Sequence, residues 1–236
     1  MPNQMGVSEQ IIIAETFGPT IQGEGPSAGQ SALFIRLSRC NLSCQWCDTP
    51  FTWDTARFDL RAESRRISID ELAQWALGVP TEIVVITGGE PLIQQDRLVP
   101  LVELLVAGGR HVEIETNGTF VPLEGLVRRG VSFNVSPKLT NSGVPREQRI
   151  SAPALKALRE SGQAVFKFVV QGPQDLAEVD EIVSEFQLGS VYVMPEGTTP
   201  EKIITGMQDL VPHLIERSWS LTPRLHVLLW GDERGR

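Results

Sequence analysis

All three cysteines of this 236-residue chain fall within eight consecutive positions, Cys40-Asn41-Leu42-Ser43-Cys44-Gln45-Trp46-Cys47. Whatever the chain folds into must therefore present one loop on which three thiols gather. Thiolates at Cys-x-x-x-Cys-x-x-Cys spacing can ligate three irons of a cubane [4Fe–4S] cluster from a single loop. No cysteine is then left for the fourth iron. An open iron takes an exchangeable ligand, which points to chemistry at the cluster rather than electron storage. Chance crowding of unrelated thiols would rarely give so tight a run. A structural zinc site closes with four N/S ligands, and His111, His213 and His226 are remote and unpaired. A disulfide framework is disfavoured by the odd count and the short spacing.

Composition narrows the function classes. Lys+Arg 21 against Asp+Glu 29 gives a net charge of −8, with pI near 5.0, unlike a surface built to neutralise phosphates. Nucleic acid is therefore not an expected partner. No apolar run reaches the roughly 18 residues of a membrane span. The start, Met1 to Gln10, is polar and lacks a signal-peptide core. Free thiols at a cluster motif place the protein in a reducing cytoplasm.

The chain then alternates between two periods. Ile11–Ala14 reads as a first strand, and Glu15–Pro26, with three glycines and two prolines, as a loop. Gln22 and Glu24 beside glycines can meet a planar ligand there; the alternative is an ordinary connection with a solvated Glu. Ala32–Leu37 is a buried strand delivering the cysteine loop. Phe51–Arg66 is polar and irregular, and Ile67–Leu77 is an amphipathic helix with Ser68 as N-cap and Glu71 three residues on. Glu82–Thr87 is a β-branched strand of the kind parallel sheets use. It runs into Gly88-Gly89-Glu90-Pro91, where paired glycines let backbone approach a ligand and Glu90 offers a carboxylate to an ammonium group.

Further units follow. Leu98–Ala107 is helical; His111–Glu115 is a strand, with a helix at Leu123–Arg128; Val131–Val135 is a strand, with a helix at Pro153–Ser161. Ala164–Val170 is a strand, Asp175–Phe186 a helix, Ser190–Val193 a strand. Pro200–Glu216 is a helix broken near Pro212, and Arg224–Trp230 is a last extended run. About six strand–helix units, each motif falling just after a strand, predict an α/β fold. Six units are too few for a closed eight-stranded barrel, so the expectation is a partial, open TIM-like barrel with its site at the strands' carboxyl ends.

These motifs carry a resemblance. The cysteine loop, with Trp46 before its last thiol, resembles that of the radical S-adenosylmethionine (SAM) superfamily, and Gly88-Gly89-Glu90-Pro91 its methionine-amine site. Thr20–Gly25, Phe34-Ile35-Arg36, Cys47-Asp48-Thr49, Glu115–Gly118, Ser136-Pro137-Lys138, Val191–Gly197 and Leu225–Gly231 together resemble the 7-carboxy-7-deazaguanine synthase family, in order and over nearly the whole chain.

The resemblance implies a radical SAM barrel of one domain over residues 1–236, a lyase that dimerises. It would convert 6-carboxy-5,6,7,8-tetrahydropterin to 7-carboxy-7-deazaguanine with loss of ammonia, on the route to queuosine and related 7-deazapurines. A 5′-deoxyadenosyl radical would abstract the hydrogen and later be regenerated, so that SAM is not consumed. Cofactors would be the [4Fe–4S] cluster on Cys40, Cys44 and Cys47, SAM, and Mg²⁺ on Thr49, with electrons from a flavodoxin- or ferredoxin-like reductant. Trp46, Gly89, Glu90, Glu115, Ser136, Pro137, Lys138, Glu196, Gly197, Thr198 and Thr199 map to SAM. Ile21, Gln22, Gly23, Arg36, Thr87 and His226 map to the pterin, Arg36 pairing its carboxylate. No side chain is assigned as a catalytic acid or base.

Read without the resemblance, Thr49 is a turn residue before Pro50, Arg36 a snorkelling cation and Lys138 a solvated loop lysine. The chain also continues past Trp230 through Gly231–Arg236, so a pocket-closing terminal carboxylate, used in some members, cannot be assigned. A glycyl-radical-enzyme activating enzyme shares the cluster loop, but the Gln22–Gly25 loop and Asp48-Thr49 disfavour it. A ferredoxin-like carrier lacks its fourth cysteine here.

Overall fold

Nine strands form one sheet in the computed structural model, which describes residues 10–235, so most of the polar start Met1–Gln10 lies outside the described residues. β1 (Gln10–Ile21) pairs antiparallel with β2 (Ser31–Leu37) and with β3 (Arg65–Ser68). From β2 onward every pairing is parallel: β4 (Ile83–Gly88), β5 (His111–Thr116), β6 (Val131–Val135), β7 (Ala164–Val170), β8 (Val191–Pro195) and the two-residue β9 (Ser220–Leu221). The order β3-β1-β2-β4-β5-β6-β7-β8-β9 does not close on itself. Six strands, β2 and β4 to β8, are the expected units of an open, TIM-like barrel.

Helices cover the outer face. α1 (Ile69–Leu77) starts two residues later than expected, since Ile67 and Ser68 close β3, and Ser68, the expected N-cap, accepts the Glu71 N–H at 3.2 Å. α2 (Gln95–Ala107), the single turn α3 (Arg146–Arg149), α4 (Ala152–Glu160), α5 (Leu176–Phe186), α6 (Pro200–Arg217) and α7 (Leu225–Trp230) follow. Leu72, Leu101, Leu155, Val179 and Leu210 from these helices meet Leu33, Ile35, Val84, Ile86, Phe133 and Phe168 from the strands in one buried aliphatic layer. A helix is not long and apolar enough to cross a membrane anywhere among the described residues.

Four further expectations are corrected. The stretch 15–26 is not all loop: β1 runs to Ile21, because Gly18 and Pro19 fall at a register shift between Phe17 and Thr20 where the ladder is already interrupted. At 123–128 only one tight turn forms, Glu124–Leu126, with Gly125 pressed against Val99. α6 continues through Pro212, since Ile203, Leu210 and Leu214 bury one continuous stripe that outweighs the lost backbone bond. The run 224–230 is helical, not extended; a short apolar run is ambiguous by periodicity, and here Val227 alone turns fully inward.

Candidate active site

The inner face of the sheet is of a different chemistry. Strand alternation sends Arg36, Thr87, Glu115 and Asn134 into the barrel. Arg36 pairs with Thr87 across β2 and β4, and Glu115 with Asn134 across β5 and β6. Ile86 stands opposite Ile114, so Thr87 and Glu115 are neighbours too, and the Thr87 hydroxyl donates to Glu115 Oε2 at 2.8 Å. The four residues form one layer across adjacent strands, and all line a single cavity at the carboxyl ends.

The cysteine loop forms a wall of the same cavity. Cys40, Cys44 and Cys47 all line it, with Leu42 and Val144 packed against them. The Leu42 N–H points at Cys40 Sγ (3.4 Å) and the Trp53 indole N–H at Cys47 Sγ (3.3 Å), the donors that a metal-bound thiolate uses. Burial pushes the Cys40 thiol up to about 12, and that of Cys44 also up, so iron binding must release these protons. Three thiols on one wall, two of them with N–H donors, fit a three-cysteine cluster.

The Gly88-Gly89-Glu90 turn works differently from expectation. A side chain on Gly89 would sit 2.1 Å from the Arg39 carbonyl oxygen and 2.8 Å from Cys40 Cβ; one on Gly88, at φ +142, would sit 2.2 Å from the Leu37 oxygen. The glycines thus let this turn press against the root of the cysteine loop. Glu90 is fully buried and does not line the cavity. Its carboxylate accepts from Leu92 N (2.9 Å), Thr116 Oγ1 (2.8 Å) and Asn117 N (2.7 Å). Burial raises its pKa while those donors oppose the rise. Glu90, expected to meet a ligand's ammonium group, ties these turns together in this structure.

The other candidates divide. Trp46, Gly89, Glu115, Ser136, Lys138 and Glu196 line the cavity; Pro137, Gly197, Thr198 and Thr199 do not. Thr199 caps α6 by accepting the Lys202 N–H, and Gly197 gives its carbonyl to Arg224 at 2.7 Å. Lys138 is no solvated loop cation: it donates to Ser136 Oγ at 3.0 Å and stands 5.3 Å from the Trp46 ring centroid.

All six pterin candidates, Ile21, Gln22, Gly23, Arg36, Thr87 and His226, line the cavity. Arg36 Nε donates to Glu15 Oε1 at 2.8 Å, and its guanidinium lies 5.6 Å from the Phe17 ring, which stacks on Phe34. Gln22 gives its amide to Glu113 and Glu115, so it positions those acids. Thr49 Oγ1 makes no cap to the turn it precedes; it lies 3.7 Å from Cys47 Sγ, while its carbonyl accepts from Thr52. Past Trp230, Asp232, Glu233, Arg234 and Gly235 also line the cavity, Arg234 donating to Glu15 (2.7 Å) and Glu63 (2.9 Å).

Sequence reading missed a buried ionic group beneath this layer. Glu24, far from solvated, pairs with Lys167 from β7 and with Arg224, and Arg224 also pairs with Asp48 of the cysteine loop. Burial would raise the Glu24 carboxyl, but Lys167, Arg224 and His226 together hold it well below the usual range. Lys167 is raised despite its burial by Glu24 and Glu115. His226 lies 4.0 Å from Glu24; burial pushes its pKa down, and Glu24 opposes that shift. Around this group Gly25 N donates to Thr222 Oγ1 (2.7 Å) and Leu225 N to the Gly23 carbonyl (2.8 Å). A signal was present: Glu113, Glu115 and Lys167 alternate with apolar residues inside strands, where charge needs a reason.

The chain is similar to known proteins over most of its length. The profile of the Radical SAM superfamily matches residues 34–186. The 7-carboxy-7-deazaguanine synthase of Pyrobaculum aerophilum is 34% identical over 98% of this chain and 100% of its own. The protein of the same name from Rhodopirellula baltica is 35% identical over 99% of this chain and 92% of its own. The crystal structure of QueE from Escherichia coli aligns with a TM-score of 0.70 at 29% identity, covering 90% of this chain and 93% of that one.

Proposed function

Because the chain belongs to the 7-carboxy-7-deazaguanine synthase family of radical SAM enzymes, we propose that it converts 6-carboxy-5,6,7,8-tetrahydropterin to 7-carboxy-7-deazaguanine and ammonia. The observation that carries this reading is one cavity in which three thiols face the layer of Arg36, Thr87 and Glu115. The [4Fe–4S] cluster and SAM, when bound, supply one-electron cleavage of SAM and abstraction of a substrate hydrogen.

The chain's own residues do the rest. Cys40, Cys44 and Cys47 hold the cluster. Trp46, Ser136, Lys138, Glu115 and Glu196 line the region assigned to SAM, where Lys138 and Ser136 offer a cation and a hydroxyl to a carboxylate. Gly89 holds the turn beside Cys40. Arg36, anchored through Nε by Glu15, keeps its two terminal nitrogens for the substrate carboxylate. His226 offers its ring nitrogens to the substrate from the cavity wall. The Thr49 hydroxyl, unused by its turn, suits a Mg²⁺ that keeps several waters and is completed by substrate oxygens. No observation favours an activating enzyme for a glycyl-radical protein.

The finer expectations belong to the same proposal: one radical SAM domain, a flavodoxin- or ferredoxin-like reductant, a cytoplasmic setting and a homodimer. The dimer is supported by Ile204, Val211 and Ile215, exposed at helical spacing on α6.

The test is anaerobic turnover of cluster-reconstituted protein with SAM, reductant and the tetrahydropterin carrying deuterium at the abstracted position. Product and ammonia are expected, with label in both product and recovered SAM. SAM cleavage without pterin conversion, or one 5′-deoxyadenosine per product, counts against the reading.

A further inference from the structure

Asn134 is 1% exposed, yet neither its Oδ1 nor its Nδ2 has a hydrogen-bond partner. Buried amides are almost always satisfied, and a buried donor or acceptor left unpaired is destabilising. Among the described residues, no other cavity-lining side chain has such orphaned polar atoms. Gly25, at φ +69, packs against one side of this amide, where a Cβ would stand 2.5 Å from Asn134 Nδ2, while Asn134 itself lines the cavity. Asn134 is the last member of the layer Arg36, Thr87, Glu115, Asn134, whose first two members are pterin candidates.

We propose that Asn134 reads the pyrimidine edge of the substrate, Oδ1 accepting from a ring N–H and Nδ2 donating to the adjacent exocyclic oxygen. This rests on the function proposed above. A carboxamide presents one donor and one acceptor side by side, which matches the N–H and C=O of a 2-amino-4-oxopyrimidine. The carboxylate of the substrate would then face Arg36 at the other side of the layer, and the two contacts fix which way round the bicyclic ring lies. The rearrangement leaves the pyrimidine ring intact, so the same contact serves substrate and product. Asn134 is thus a specificity-determining residue that takes no part in hydrogen transfer.

The test titrates 6-carboxypterin, a fluorescent probe with the same edge, into cluster-loaded protein with SAM, comparing wild type with Asn134→Leu, of similar volume. Leu cannot pair the edge and leaves no orphan, so probe affinity should fall roughly 10- to 100-fold while the melting temperature without probe holds or rises. SAM-induced changes in the cluster spectrum should be unaltered. Asn134→Asp, which turns the donor into a second acceptor, should weaken the probe as well, and serves if the Leu variant does not fold. Probe affinity within threefold of wild type in either folded variant overturns the role of Asn134 alone. Wild type that cleaves SAM but neither binds nor converts pterins overturns the proposed function, and this inference with it.

Discussion

The two faces of the sheet use the same strands for opposite ends. Outward, Leu33, Ile35, Val84, Ile86, Val112, Ile114, Phe133 and Phe168 meet helices and nothing polar. Inward, one residue along, stand Arg36, Thr87, Glu113, Glu115, Asn134 and Lys167. The outer face gains stability from area removed from water, at about 25 cal/mol per Å². Near the site the inner face surrenders that gain, burying charges that need partners and Asn134 without any, while Ala32, Phe34, Ile83 and Val85 of the same parity keep a small apolar cluster. Around the site, stability and chemistry are thus assigned to alternate residues of one strand, and a substitution's phenotype there should follow its parity.

Variants on either face test this division of labour. The largest effect belongs to Cys40→Ala, Cys44→Ala or Cys47→Ala, each of which should abolish SAM cleavage while far-UV circular dichroism stays native; retained cleavage in any one removes the cluster assignment. On the outer face, Phe168→Ala should destabilise by about 3–5 kcal/mol in chemical unfolding, with per-molecule turnover of the folded fraction nearly unchanged. Loss of turnover in fully folded Phe168→Ala would mean that the faces are not separable.

Glu24→Gln is the inner-face exception, because removing one partner of a buried ion pair typically costs about 3–5 kcal/mol, here at the lower end since Glu24 retains some exposure. Its pH dependence has a definite sign. The folded carboxyl titrates below its unfolded value of 4.5, so the stabilisation is fully present above that pH and is lost as pH falls through and below it. Unfolding curves of wild type and Glu24→Gln should converge in acid; a constant gap removes the ionic explanation.

Thr49→Val keeps shape and removes an oxygen. Cluster content and SAM binding should hold, turnover should fall on the order of a hundredfold through misplacement at the reacting centre, and the Mg²⁺ response should weaken. Wild-type rates with an unchanged Mg²⁺ response would leave Thr49 a turn residue. The smallest effect is that of Ile215→Glu, exposed on α6: stability within about 0.5 kcal/mol of wild type, but a lower mass by light scattering if this stripe joins two copies.

The outer face was legible because aliphatic runs announce strands, and Ser68 with Glu71 announces a helix start. The cysteine loop was legible because spacing alone carries it. The ionic group of Glu24, Asp48, Lys167 and Arg224 was not, since its members lie up to 200 positions apart and only the fold brings them together. The hydrogen bonds of Glu90 were illegible for a related reason: Thr116 and Asn117, which donate to it, reach it only through the fold. The helix at Leu225–Trp230 escaped because an apolar run of six has no readable period.

An open sheet has two unpaired rims, and this one fastens across the gap without a backbone ladder. The turn after β1 holds the segment behind β9 through Gly25 to Thr222, Leu225 to Gly23 and Glu24 to Arg224. A ladder would fix the width of that gap by its own repeat, whereas a seam of one backbone bond, one N–H to a hydroxyl and one ion pair behaves as a clasp. Loosening it would widen the mouth of the barrel while leaving every strand in place.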